Sequence, residues 1–367
     1  MVPVSIIPEF IGENPSEIET EAAAPSALGC SSSGKSPHGV LPVMEADLAC
    51  CLWLFTGHFV RVAFLKHDGL VRFGGTSVNI LVVYKKNFEE VHDAGLMALK
   101  EVLQRVGPEH HVDYKPREHV RRADFIARDL VIVFGGDGTL TSLSHNIDAA
   151  TPVMGVNSHP RTDDPDGSLG FYMDSSVLTF EEDFERVLAG TATTNFLPRL
   201  QAIIDTTSGN RFTTDPAMND LLIANTHQYA PSKYHLRRGH HQCHQQSSGL
   251  LFSTWFGQGA WLQNAMSDAE FHALRTQAVD AFSPGHYFVF ARDLSPEQRG
   301  EHPWAWMEWT AAETTITSDM HRGYVVPDGW DEVHFNRGAT ITVNANAPAL
   351  TLLTFRTTMA DKLSSRF

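Results

Sequence analysis

The sequence predicts an α/β portion built on a parallel sheet, residues 76–196, followed by an all-β, sandwich-like portion, residues 197–345. Three observations carry this. From Thr76 onward, apolar runs of strand length alternate with a helical apolar period, the pattern of a parallel sheet with crossover helices. After Leu197 the helical period gives way to short strand candidates separated by turn residues. Within the first portion, Val131-Ile132-Val133-Phe134 is apolar on both faces and runs straight into Gly135-Gly136-Asp137-Gly138-Thr139, as a buried parallel strand entering a tight turn does.

Residues 1–75 are the least informative, and read as a poorly structured tail or an over-extended start, with Met44 as the alternative initiator. The first 60 residues hold one basic residue, Lys35, beside Glu9, Glu13, Glu17, Glu19 and Glu21, unlike a transit or signal peptide. Gly29 to Ser36 matches the P-loop pattern G-x-x-x-x-G-K-[ST], but Pro25 before it and Pro37 and Pro42 after it deny it the flanking strand and helix. We read that match as coincidence.

Val78–Tyr84 is the first strand. Phe88 to Val106 follows with apolar residues at Val91, Ala94, Ala98, Val102 and Val106, an amphipathic helix that Gly107-Pro108 stops. A short strand near His111–Tyr114 and a basic helical stretch, Arg117–Arg128, lead to the central strand. Leu140, Leu143 and Ile147 then suit a short helix, and Thr151–Val156 the next strand. Asp163, Asp164 and Asp166 lack EF-hand spacing and read as a solvated loop. In the second portion, strands are expected at Leu200–Asp205, Leu221–Ala224, Leu250–Thr254, Tyr287–Ala291, Thr314–Thr317, Gly323–Val326 and Ala339–Val343. Residues 346–367 form a last segment, in which Ala349–Phe355 is a strand that could return to the first portion. Trp304, Trp306 and Trp309 are expected in core or edge packing. His240, His241, Cys243 and His244 have the chemistry of a zinc cluster, but adjacent residues of a strand point to opposite faces, so an exposed polar hairpin is the preferred reading.

A formal charge of −15 argues against nucleic acid or an anionic membrane as the main partner, because either requires a basic face. Four cysteines show no disulfide or metal spacing, so a reducing, cytoplasmic setting is expected. Ligand chemistry concentrates at the glycine turn. Gly135, Gly136 and Gly138 let backbone N–H groups approach an anion, and the helix behind them adds its positive end. Asp137 is out of place beside a phosphate unless a metal ion intervenes or the carboxylate takes a proton. Either it is incidental to a tight turn, or the site performs phosphoryl transfer with Asp137 as base or metal organiser.

Five segments in this order resemble the NAD kinase family, in the branch that includes organellar NAD(H) kinases: Phe134–Thr139, Gly155-Val156-Asn157, Leu169–Tyr172, Ala217–Asp220 and Ser247–Trp261, with Asp328-Gly329 as a late similar pair. The resemblance covers roughly residues 78–355. It implies a Rossmann-like α/β domain and a C-terminal β-sandwich, the architecture shared with diacylglycerol kinases, and phosphorylation of NAD or NADH by ATP with Mg²⁺ held through the nucleotide phosphates. By motif, Asp137 would activate the ribose 2′-hydroxyl. Gly135, Gly136, Gly138 and Thr139 would hold phosphate, and Asn157, Phe171, Tyr172, Asn219, Asp220, Thr254, Gly257, Ala260 and Trp261 would bind NAD. Homodimers or higher homo-oligomers are expected. The last motif departs from the family at Gln258-Gly259, where hydroxyl residues are usual. That departure keeps open a non-catalytic dinucleotide sensor. A lipid kinase is the other alternative, weakened by the absence of a Gly-Thr-Gly-Asn-Asp segment.

Overall fold

Runs that are apolar on both faces can be stable only between two layers, and the structure, a computed structural model, buries them so. It describes residues 77–86, 90–278 and 285–366. The tail, its P-loop match and Met44 lie outside these residues, as do Phe88 and Glu89 of the expected first helix. In chain order the first portion holds β1 (Asn79–Tyr84), α1 (Glu90–Val106), β2 (His111–Pro116), β3 (Leu130–Gly135), α2 (Asp137–Ser144), β4 (Val153–Asn157), the two-residue β5 (Ser175–Ser176) and α3 (Phe180–Leu188). β2, β1, β3 and β4 lie side by side in parallel. Period-2 alternation divides the side chains. Ile80, Val82, Ile132 and Phe134 pack with Leu99 and Leu103 of α1 and Phe180 and Phe184 of α3. Leu81, Val83, Val131 and Val133 pack on the other face with Leu140 and Leu143 of α2.

The second portion holds β6 (Thr193–Asp205), β7 (Arg211–Thr213), β8 (Asp220–Asn225), β9 (Ser232–Arg238), β10 (His241–Ser247), β11 (Leu250–Thr254), α4 (Trp261–Ala265), α5 (Asp268–Ala278), β12 (Tyr287–Ala291), α6 (Pro296–Glu301), α7 (Pro303–Trp306), β13 (Met307–Thr310), β14 (Thr314–Ser318), β15 (Arg322–Pro327), β16 (Val333–Asn336), β17 (Thr340–Thr354) and α8 (Met359–Arg366). One sheet runs β13-β12-β11-β8-β15-β16. Its inner residues, among them Leu221, Phe252 and Val289, meet Leu200, Leu236 and Ile341 of the facing sheet in one apolar core. A sandwich results.

The facing sheet is continuous with the α/β sheet, in the order β10-β9-β14-β17-β4-β3-β1-β2. β17 makes the join. Its start pairs with β14 and β6, and its end runs parallel to β4, with Leu352 opposite Val153. Arg199 of β6 is buried at the join, donating from Nε to the Pro348 carbonyl (2.6 Å) and from Nη1 to those of Ser144 (2.8 Å) and Ile147 (3.2 Å). It thereby adds donors to carbonyls at and just beyond the carboxyl end of α2, where that of Ser144 also accepts the Ile147 N–H (3.2 Å). Burial lowers its pKa to about 10, countered by the charges of Asp328 and Asp148.

Several expectations need correction. Arg117–Arg128 is two 3₁₀ turns, Arg117–His119 and Arg122–Phe125, because only Phe125 is buried and no apolar stripe exists for a helix to bury. The all-β expectation overlooked α4 to α7, and α4 and α5 cover the outer face of β11 and β12 with Leu262, Met266, Phe271 and Leu274. His240, His241, Cys243 and His244 lie in the β9–β10 hairpin, in keeping with the preferred reading. Cys243 sits in the sandwich core, where burial pushes its thiol up to about 11, and His241 lies 5.4 Å from the Trp304 ring. The three tryptophans pack against the cores. Among the described residues, no helix is long and apolar enough to cross a membrane.

Candidate active site

The β3–α2 turn places Asp137 first in α2, where a carboxylate suits the helix's positive end. Its Oδ2 accepts the Phe171 N–H (3.0 Å), its Oδ1 accepts the Tyr172 N–H (2.8 Å), and its own N–H donates to Ser168 Oγ (3.3 Å). The Ser168–Tyr172 turn therefore fixes the carboxylate from the side opposite the helix. From there the Tyr172 hydroxyl donates to Asn219 Oδ1 (2.7 Å), linking the two portions. Burial holds this phenol well above its usual pKa, reinforced by the charges of Asp328, Asp137 and Asp220, so it remains a donor.

Asp328 organises the Asn219-Asp220 segment. Its carboxylate accepts N–H groups from Met218 (2.6 Å), Asn219 (2.8 Å) and Asp220 (3.0 Å). Burial pushes Asp328 up to about 6 against the pull of those bonds. Asp220, also buried, is pushed up to about 7 by burial and by the Asp328 charge, while the Trp261 N–H donating to it acts the other way. Two adjacent buried carboxyls thus titrate near neutrality, a frequent mark of functional sites.

Thr254 and Gly257 clamp the same segment from behind. Thr254 Oγ1 donates to the Met218 carbonyl (2.6 Å) and accepts from Gly257 N (2.9 Å). A Cβ at Gly257 would stand 2.1 Å from the Asn219 carbonyl oxygen, so only glycine fits this approach of two backbones. Ala260 closes the Phe256–Gly259 turn. Gln258 is buried and donates to the Trp255 carbonyl (2.8 Å) within that turn, so its amide is not a replacement for a phosphate-binding hydroxyl.

An open cavity of about 300 Å³ lies at Gly136 and is lined also by Lys85, His92, Asn157, His159, Asp164, Asp166 and Ser168. Asn157 Nδ2 donates to the Ser168 carbonyl (3.3 Å), and its Oδ1 accepts the His159 N–H (3.2 Å). His159 Nε2 lies 3.0 Å from Asp164 Oδ2. The aspartate loop is therefore part of the cavity wall, a correction to its reading as merely solvated. Gly138 has open space around it, while Thr139 is buried with its hydroxyl over Gly135.

Sequence reasoning missed Lys85, His92 and His159. Lys85 carried a signal: it follows β1 as Gly136 follows the neighbouring β3, and ligands bind at the carboxyl ends of parallel strands. It also missed α8, which packs Met359 and Leu363 into the core around Phe171 and Tyr172. Lys362 pairs with Asp174 (2.7 Å), and Arg366 Nη2 donates to the Gly259 carbonyl (3.2 Å). The Arg366 guanidinium lies 5.4 Å from the Phe171 ring centre, and its pKa is lowered by burial and raised by the Asp137 charge.

A glycine turn at the end of a parallel strand is thus linked, through Asp137 and Tyr172, to Asn219 of a β-sandwich, beside the buried carboxyls of Asp220 and Asp328. No protein-family model matches the chain. It is 27% identical to a probable NADH kinase of Oryza sativa over 251 residues, 61% of this chain and 70% of that one. An NAD kinase of Clostridium perfringens is 24% identical over 151 residues, 40% of this chain and half of that one. In three dimensions it matches an NAD kinase from Archaeoglobus fulgidus in complex with ATP, with TM-score 0.57, 16% identity, and coverage of 78% of this chain and 99% of that one. A yeast NADH kinase complexed with NADH matches with TM-score 0.59 and 15% identity, over 77% and 85% of the two chains. The chain is thus similar in sequence to NAD kinases and NADH kinases and shares their fold.

Proposed function

We propose that this chain transfers the terminal phosphoryl group of ATP to the 2′-hydroxyl of the adenosine ribose of NAD or NADH, giving ADP and NADP or NADPH. The observation that carries it is the position of Asp137, next in sequence to Gly136 of the cavity wall, fixed by two backbone N–H groups and linked through Tyr172 to Asn219. Asp137 accepts the hydroxyl proton as the ribose oxygen bonds to phosphorus and the bond to ADP breaks, a role worth about 10²–10⁴-fold in rate. Backbone N–H groups at Gly135, Gly136 and Gly138, with Lys85, meet phosphate charge. Asn219 and Asp220 supply a donor and acceptors for ribose and adenine, with Phe171, Tyr172, Asn157 and Trp261 around them.

Each Asp137 oxygen accepts one N–H bond and keeps a lone pair for the hydroxyl proton. The hard oxygens of Asp164 and Asp166 fit a Mg²⁺ ion carried mainly by nucleotide phosphates, where it would neutralise charge during transfer. We assign residues 76–196 to the nucleotide-binding domain, 197–345 to the NAD-binding domain and 346–367 to a segment rejoining the first. We further propose a cytoplasmic setting and a homo-oligomer joined through sandwich edges such as β13 or β16.

The test is NADP(H) formation by the full chain with ATP, Mg²⁺ and either NAD or NADH, beside Asp137→Asn. Turnover that falls at least about a hundredfold in the variant is expected. Binding of NAD without turnover by the wild type would replace the kinase with the dinucleotide sensor.

A further inference from the structure

We propose that His235, His244 and Asp319 form a binding site for one divalent transition-metal ion of the zinc class, separate from the kinase site. The three candidate donor atoms lie within 4.8 Å of one another. His235 Nε2 and His244 Nε2 each stand 3.2 Å from the same oxygen, Asp319 Oδ2. Metal–nitrogen bonds of about 2.0–2.1 Å and metal–oxygen bonds of about 2.0–2.2 Å put neighbouring ligand atoms of a tetrahedron about 3.4 Å apart. The two nitrogen–oxygen edges are thus already close to the length that an inserted ion requires.

Three backbone segments hold this arrangement. His235 and His244 are direct partners across the β9–β10 pair, so their side chains leave the same face, and their ring centres are 4.7 Å apart. His235 also stands opposite Thr317 of β14, which brings in the next segment. There the Asp319 N–H donates to the Lys233 carbonyl (3.0 Å), and the Asp319 carbonyl accepts from Arg337 Nε (3.0 Å). Donors fixed on paired strands lose little freedom when an ion binds. Without an ion, two imidazole N–H groups directed at one carboxylate oxygen account for the same contacts, and the ion would replace those protons.

The chemistry of the donor set names the ion. Two imidazole nitrogens and one carboxylate oxygen suit Zn²⁺, Ni²⁺ or Cu²⁺, whereas Mg²⁺ and Ca²⁺ seek oxygen ligands alone. All three side chains are partly exposed, which leaves a fourth position open to water or an added ligand. The ion would tie the edge strand β10 to β9 and to the end of β14.

Titration of the untagged, chelator-stripped full chain with Zn²⁺, in saturating Mg²⁺, tests the assignment by calorimetry, and Co²⁺ tests it by visible absorption. One ion per chain and the intense bands of tetrahedral Co²⁺ are expected. His235→Ala and Asp319→Asn should each weaken binding by at least about tenfold, the loss that follows even when an outer partner of a ligand is removed. Unchanged circular dichroism and unchanged NADP(H) formation in Mg²⁺ would show that the variants fold. Absence of Zn²⁺ binding to the wild type overturns the proposal. So does binding that survives both substitutions, which would place the ion elsewhere, for instance at Cys30, Cys50 or Cys51.

Discussion

Asp220→Asn is expected to raise the stability of the folded chain above pH 7 and to leave it unchanged near pH 4. Buried Asp220 titrates near 7 instead of 3.8, chiefly because burial disfavours its charged form, with the Asp328 charge adding to it. The unfolded chain releases the same proton near 3.8. The folded state therefore holds it more tightly, and the associated stability is full below about pH 4, lost as pH rises to about 7, and absent above. At about 1.36 kcal/mol per pH unit the interval sets a ceiling of ~4 kcal/mol. Coupling to Asp328, which titrates near 6, leaves about 2–4 kcal/mol for Asp220 itself. Asparagine carries no charge at any pH, yet keeps an oxygen for the Trp261 N–H. Urea unfolding of both proteins from about pH 4 to about pH 8.5 reads the difference directly. The gap should open through the 4–7 window and level off above it, while NAD affinity falls. A gap that stays constant across the whole range would refute the reasoning, because the carboxyl would then not titrate where its surroundings place it.

Gly257→Ala drives a methyl group into the Asn219 backbone, which cannot swing aside as a side chain can. It should lower the urea midpoint by an amount equivalent to at least about 1–3 kcal/mol and weaken NAD binding in parallel, as read by denaturation and calorimetry. Arg366→Ala removes the cation over Phe171 but spares the Lys362–Asp174 pair, so α8 stays docked. Steady-state kinetics should show about a two- to fivefold rise in KM, the scale for a partly exposed charge, with little change in melting temperature.

The strands of the α/β portion were legible because they are buried on both faces, so that Val131–Phe134 carries its environment in its composition. The Gly135–Thr139 turn was legible because its glycines follow a buried strand directly, and a Cβ at Gly135 or Gly136 would stand 2.5 Å from Thr139 Oγ1 or 2.7 Å from Ser168 Oγ. Other features depend on contacts that no local window contains. α8 is eight residues long and too short to be helical alone; docking of Met359 and Leu363 on the Phe171 region sustains it. Arg366 therefore came into view only with the fold. The Asp163–Asp166 loop read as solvent because its partner, His159, approaches through a turn. His244 was noticed for its chemistry, but grouped with its sequence neighbours. Strand alternation turns Cys243 inward, and the fold supplies His235 and Asp319 from other strands.

The join made by β17 has a consequence for how the protein is born. A ribosome delivers the chain from its amino end, so the α/β half emerges first, with β4 beside an unfilled position in its sheet. Leu352 and Leu353, which pair with Val153 and Met154, leave the exit tunnel only after β6 to β16 of the sandwich have done so. Throughout synthesis of the sandwich the nascent chain therefore carries an open parallel edge rich in apolar residues, the kind of surface that invites wrong pairings. The α/β sheet, begun before the sandwich, is completed after it.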